Sequence, residues 1–133
     1  MNTKKCLSGY FSNGPQTGEN ASCIKSVDNC FTGYFNDGSD SNCVSSTSQC
    51  SAGYFDDGSK AKCISSTTNC ISGYFNDGSN SKCIANTGSC RIDLGYFGNG
   101  PLIGSTAACI QSTFSCLSGY FSNGYLTTPN AAC

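Results

Sequence analysis

The sequence predicts a small disulfide-rich β fold, an elongated tandem array of six short disulfide-closed β-hairpin modules with little regular secondary structure. Three observations point there. Cysteine supplies 12 of 133 residues, a density typical of disulfide scaffolds. The order cysteine, Gly-Tyr-Phe, Asn-Gly or Asp-Gly, cysteine recurs six times and absorbs all the cysteines. Aliphatic side chains outside the repeat are few and scattered among Ser, Thr, Asn and Gly, so covalent cross-links must stand in for a large core.

Each module follows in order. Residues 1–5 form an N-terminal extension, and the repeats then run over 6–29, 30–49, 50–69, 70–89, 90–115 and 116–133. The first joins Cys6 to Cys23 around Tyr10, Phe11 and Asn13-Gly14. The next three span Cys30 to Cys43, Cys50 to Cys63 and Cys70 to Cys83, with Asp37-Gly38, Asp57-Gly58 and Asp77-Gly78. The last two span Cys90 to Cys109 and Cys116 to Cys133, with Asn99-Gly100 and Asn123-Gly124. Six residues separate successive modules, and the first is Ile24, Val44, Ile64, Ile84 or Ile110. A fixed period of this size marks stacked or strung repeats.

Within a module, Asn-Gly or Asp-Gly suits a two-residue type I′ turn, because both central positions need positive φ. Tyr and Phe favour extended backbone before it. The expected unit is therefore a short hairpin, too small to be stable alone and held closed by a disulfide across its open end. Pairing each cysteine with its partner in the same module leaves no orphan thiol. Bridging across the six-residue interval instead strands Cys6 and Cys133, unless chains join end to end. The first scheme is favoured, although spacing alone does not fix connectivity. A loop of this size contributes roughly 3 kcal/mol on the chain-entropy model.

Loop length divides the modules. Four residues separate the turn glycine from the second cysteine in modules two to four, and eight in modules one, five and six, which hold Pro15, Pro101 and Pro129. Module five also carries Arg91-Ile92-Asp93-Leu94 before its glycine. Such insertions map to surface loops. Adjacent Tyr and Phe point to opposite faces of a strand. One is expected to cover its own disulfide and the following Ile or Val. The other forms a row, Tyr10, Tyr34, Tyr54, Tyr74, Tyr96 and Tyr120, that packs between repeats or faces another chain or ligand.

The chemistry that remains is narrow. The chain has no histidine and a net charge of −1, which removes the commonest base and metal ligand and any basic stripe for nucleic acid. No catalytic residues or cofactor are expected. Cysteine intervals of six and twelve or more do not match structural zinc sites. Asp37, Ser39 and Asp40, with their counterparts in the next two modules, are read as turns rather than calcium loops, since the terminal bidentate Glu is missing. Asn20-Ala21-Ser22 fits the N-glycosylation pattern, and runs such as Ser45–Ser48 are candidate O-glycan sites or solvated linker. No apolar stretch follows Met1 as in a signal peptide, and none is long enough to span a membrane. Cysteine usage nevertheless argues for an oxidising compartment, which is reconciled if the chain is a mature fragment or a slice of a longer protein.

The pattern Cys-x-x-Gly-Tyr-Phe … Cys resembles the single-disulfide hairpins of extracellular cysteine-rich repeats. These are of the growth-factor-receptor-like and ephrin-receptor-like type, as in cysteine-rich surface proteins of ciliates and other protists. Cys30–Cys43 and Cys70–Cys83 match best, and the likeness runs from Cys6 to Cys133. It departs in the intervals, which are six residues here and often two there. The resemblance implies an extended extracellular rod with each disulfide inside its module, and implies no catalysis and no particular ligand.

Two functions follow as expectations. One is a structural subunit of a surface fibre or coat, glycosylated, self-associating head to tail. Its motive is that a chain ending on a second-type cysteine and starting five residues before a first-type one continues the rhythm across a junction. The other is an ectodomain that holds a protein or glycan partner through the aromatic row or through long-loop residues such as Leu102 and Tyr125.

Overall fold

The computed structural model describes residues 2–133. They form two compact units, the first ending at Ser65 and the second running from Ser66 to Cys133. The first unit contains modules one and two and the hairpin of module three, and the second contains the last residues of module three, from Ser66, and modules four to six.

Five modules are two-stranded antiparallel hairpins. Their strands are β1 (Phe11–Ser12) and β2 (Cys23–Ile24), β3 (Phe35–Asn36) and β4 (Cys43–Val44), β5 (Phe55–Asp56) and β6 (Cys63–Ile64), β7 (Phe75–Asn76) and β8 (Cys83–Ile84), and β9 (Phe97–Gly98) and β10 (Cys109–Ile110). Register is the same throughout: Phe lies opposite the Ile or Val that follows the second cysteine, as in Phe35↔Val44 and Phe55↔Ile64. This cross-strand pair is the apolar centre of each module. Val44, Ile64 and Ile84 are buried, together with Cys43, Cys63 and Cys83. Module six has the same loop closure, with Asn123 N–H donating to Ala132 O, but no ladder. The position that pairs with Phe121 would follow Cys133.

Disulfides join Cys6–Cys23, Cys30–Cys43, Cys50–Cys63, Cys70–Cys83, Cys90–Cys109 and Cys116–Cys133, with Cα–Cα separations of 5.7 or 5.8 Å, within the usual range for this cross-link. No cysteine is free among the described residues. A two-residue ladder is far below independent stability, so each hairpin depends on the disulfide at its open end.

The turn differs from the sequence expectation. Asn-Gly and Asp-Gly do not make two-residue type I′ turns. In module two, Asp37 N–H donates to Asn42 O at 3.2 Å, so the loop runs over six residues, 37–42. In module one the matching bond, Asn13 N–H to Ser22 O at 2.9 Å, closes ten. Only the glycine of each pair has positive φ, +104° at Gly38 for example, and the second left-handed residue of the short loops lies two positions later, at Asp40, Lys60 or Asn80. The wider loop arises because the first residue's side chain is turned inward to hold the loop, a role a two-residue turn leaves no room for.

The intervals between modules are built, not slack. Each ends in a 3-10 turn: Val27–Asn29, Thr47–Gln49, Thr67–Asn69, Thr87–Ser89 and Thr113–Ser115. The preceding Ser26, Ser46, Ser66, Asn86 or Ser112 is extended, and its side chain accepts from the amide two residues on, the capping habit of these residue types. Asn2 does the same for Lys4 N–H at 2.9 Å, so residues 2–5 resemble the second half of an interval. The insertion in module five forms a further 3-10 turn, Ile92–Leu94, ended by Gly95 at φ +88°.

Candidate functional site

The repeated contact between modules is the most distinctive site in the molecule. The chain enters a module through its first cysteine, and the next residue donates its amide to the loop of the module before. Phe31 N–H bonds Asn13 O, Ser51 N–H bonds Asp37 O and Arg91 N–H bonds Asp77 O, each at 2.8 Å, and Leu117 N–H bonds Asn99 O at 2.9 Å. The tyrosine of the same module, three residues on from Phe31, Ser51 and Leu117 and five on from Arg91, lays its ring over the loop glycine. Tyr34 covers Gly14, Tyr54 covers Gly38, Tyr96 covers Gly78 and Tyr120 covers Gly100. A Cβ at any of these glycines would fall on the ring carbons, so the glycine is required both by its positive φ and by the ring. Each contact is heterologous: one module offers a glycine and a carbonyl, the next a tyrosine and an amide.

The aromatic row predicted from sequence is thus used within the chain at Tyr34, Tyr54, Tyr96 and Tyr120. The contact does not bury every ring; Tyr120, for instance, is 45% exposed. At Tyr10 the Lys25 ammonium lies 5.0 Å from the ring centroid. A shallow groove lined by Leu7, Tyr10 and the Cys6–Cys23 disulfide runs beside it. Tyr74 is half exposed.

Under each engaged glycine a buried polar side chain fixes the loop. In the short loops it is aspartate. Asp37 Oδ1 accepts from the Ser39 amide at 2.9 Å and from the Ser39 hydroxyl, and Oδ2 accepts from Asn42 Nδ2 at 3.3 Å. Burial pushes this carboxyl up, but the bonds from Ser39 and Asn42 together outweigh it and hold it below the ordinary carboxylate value. In the long loops it is asparagine. Asn99 Oδ1 accepts from Ala108 N–H, and its Nδ2 donates to Thr106 O; Asn13 does likewise with Ser22 and Asn20. A short loop presents donors only, whereas a long loop presents a donor and a carbonyl, which an amide side chain satisfies and a carboxylate does not.

Both oxygens of Asp37 are therefore committed inside the protein, which accounts for the Asp-Gly-Ser pattern as loop architecture. Among the described residues no group of three or more His, Cys, Asp or Glu could hold a metal ion, and no helix is long and apolar enough to cross a membrane. The Asn20-Ala21-Ser22 segment is pinned by Asn13 through Asn20 O and Ser22 N–H. Ala21 is buried, while the Asn20 side chain faces outward.

The long loops fold back on the threonine three residues before their own first cysteine. Thr3 bonds Gln16 O, Thr87 bonds Leu102 O and Thr113 bonds Leu126 O through their amides, at 2.8 to 3.0 Å. Their hydroxyls reach Pro15 O, Pro101 O and Tyr125 O. This leaves Leu102, Ile103, Tyr125 and Leu126 exposed. The glycine seat and the division of labour between Asp and Asn were not foreseen from sequence. The signal was present in the second case: Asp precedes Gly in every short loop and Asn in every long one.

Comparison with protein-family models, curated proteins and solved structures finds no match to this chain.

Proposed function

We propose that the chain is a structural extracellular protein that associates head to tail with copies of itself to form a surface fibre or coat, with no catalytic role. The observation that carries this reading is the heterologous tyrosine-on-glycine contact. A surface that offers one half and needs the other adds units without closing on itself, which is how filaments grow. Six disulfides suit an oxidising, extracellular setting, and the likeness to extracellular cysteine-rich hairpins points the same way. Asn20 is the proposed glycan attachment point. Sedimentation velocity and electron microscopy of the oxidised chain over a wide concentration range test the assembly. A concentration-dependent series of oligomers or fibres is expected, and a monomer at every concentration overturns it.

A second reading is an ectodomain that binds a protein or glycan, favoured by the exposed Leu102, Ile103, Tyr125 and Leu126 on two long loops. Under this reading Leu102→Ser or Tyr125→Ser abolishes partner capture and leaves self-association unchanged. Under the first reading neither substitution has a partner to lose.

A further inference from the structure

Three Asn-Gly pairs occur in the sequence, Asn13-Gly14, Asn99-Gly100 and Asn123-Gly124. In an unfolded chain such a pair is labile, because the glycine nitrogen, with no Cβ beside it, reaches the asparagine side chain. That nitrogen bonds to the asparagine Cγ, the Cγ–Nδ2 bond breaks, and ammonia leaves with the proton the glycine nitrogen has lost. Water then opens the succinimide to aspartate or isoaspartate. The fold bars this step at the first two pairs. Asn13 and Asn99 are only 6% and 5% exposed. Asn13 Oδ1 accepts from Ser22 N–H and its Nδ2 donates to Asn20 O, both at 3.0 Å. Asn99 Oδ1 accepts from Ala108 N–H at 3.0 Å and its Nδ2 donates to Thr106 O at 2.9 Å. Closing the ring swings Cγ onto the next nitrogen and breaks both bonds. The Tyr34 and Tyr120 rings lie over Gly14 and Gly100, and Gly14 N–H is itself engaged by Ser12 Oγ at 3.1 Å. Each pin is tied to a cross-link: Ser22 and Ala108 immediately precede Cys23 and Cys109, which are bonded to Cys6 and Cys90.

We propose that Asn13 and Asn99, the two of these asparagines covered by a following module, are latent deamidation sites, each gated by the disulfide of its own module. A thiol reductant that opens Cys6–Cys23 or Cys90–Cys109 by exchange releases the pinned side chain, and the pair closes to succinimide. The change is one-way because the product does not fit the long loop. Aspartate at position 99 has no proton to offer Thr106 O at neutral pH, and isoaspartate lengthens the backbone. The short loops escape deamidation, since Asp37, Asp57 and Asp77 stand at this position and have no side-chain nitrogen to lose. A long-loop module opened briefly re-forms intact, whereas one held open keeps a covalent record of it.

The test is a time course of peptide maps of the full chain at mildly alkaline pH, in which deamidation is read as the mass gained when an amide becomes an acid. The oxidised natural chain should keep both asparagines, and the fully reduced chain should convert both. Cys90→Ser combined with Cys109→Ser should speed conversion of Asn99 by about a hundredfold, the rise in open population that loss of one such cross-link gives. Asn13 should stay at its natural rate in that variant. Cys6→Ser combined with Cys23→Ser should do the reverse. Reduced chains reoxidised at once should regain slow hydrogen exchange at the Leu117 amide, which bonds Asn99 O; chains reoxidised after Asn99 has converted should exchange faster there. Conversion of Asn99 in the oxidised chain at the fully reduced rate would overturn the proposal, as would an unchanged rate in the variant lacking Cys90 and Cys109. If either pair of substitutions speeds both asparagines alike, the gate is not local to the module. Full recovery of Leu117 protection after conversion would refute the one-way character.

Discussion

Replacing Gly38 by alanine separates the two reasons for glycine at the intermodule seat. Gly38 has φ +104°, and a Cβ there falls on the Tyr54 ring; Gly33 in the same module has φ +92° and nothing within 4 Å. Gly33→Ala therefore introduces backbone strain alone, about 1–2 kcal/mol for an L residue forced to left-handed φ. Gly38→Ala adds the displacement of a packed ring, which overpacking measurements place at about 1–3 kcal/mol. The two together amount to roughly 2–5 kcal/mol, and the difference between the variants isolates the ring contact. Global unfolding is a poor readout for a repeat array, whose units respond locally. Hydrogen exchange at the Ser51 amide is better, because that amide bonds Asp37 O at 2.8 Å across the interface. Gly38→Ala should speed its exchange by about ten- to a hundredfold more than Gly33→Ala does, at a decade per 1.4 kcal/mol. Equal acceleration in both variants would mean that the ring does not hold the modules together.

Other consequences follow from the loops. Asn99→Asp sets a carboxylate against Thr106 O, which now accepts from the asparagine amide; it should destabilise module five by about 1–3 kcal/mol at neutral pH. Its folded pKa is raised, so the penalty should shrink as pH falls and the acid regains a proton to donate, as a pH series of denaturation midpoints would reveal. Asp37 behaves in the opposite sense. Its folded pKa is depressed, so its stabilisation is complete above its unfolded value of about 3.9 and fades only as pH falls through the folded one. The Ser39 amide resonance should accordingly stay fixed down to about pH 4 and move below it. Lys60 sits at φ +64°, a conformation glycine adopts without steric cost. Lys60→Gly should leave stability unchanged or raise it by up to about 1 kcal/mol, measured by chemical denaturation with tyrosine fluorescence, the chain having no tryptophan.

Much of the module was legible in the residues. Cysteine density and the recurrent Gly-Tyr-Phe spacing led to a disulfide-closed hairpin, and alternation in a strand led to one of Tyr and Phe covering the following Ile or Val; the register shows that it is Phe, as in Phe35↔Val44 and Phe75↔Ile84. The turn type was misjudged. Asp-Gly is a strong hairpin signal when both residues take positive φ, but Asp37 has a competing use as a buried acceptor for Ser39 and Asn42, and that tertiary demand overrode the local preference. The seat on Gly38 was hidden for a different reason. It depends on Tyr54 from the next module, and no short-range pattern states which face of a ring meets which glycine. The 3-10 turns in the intervals were readable in retrospect from the Ser or Asn that caps each one.

Mapping the disulfides of the native material tests the central claim most directly, since every loop, cap and seat described depends on each module being closed by its own cross-link. The account predicts that reduction adds twelve hydrogens to the intact mass, one per cysteine. Digestion without reductant should give six linked peptide pairs, each confined to one Gly-Tyr-Phe module. Free thiols, or a bridge such as Cys23 to Cys30 spanning an interval, would contradict it.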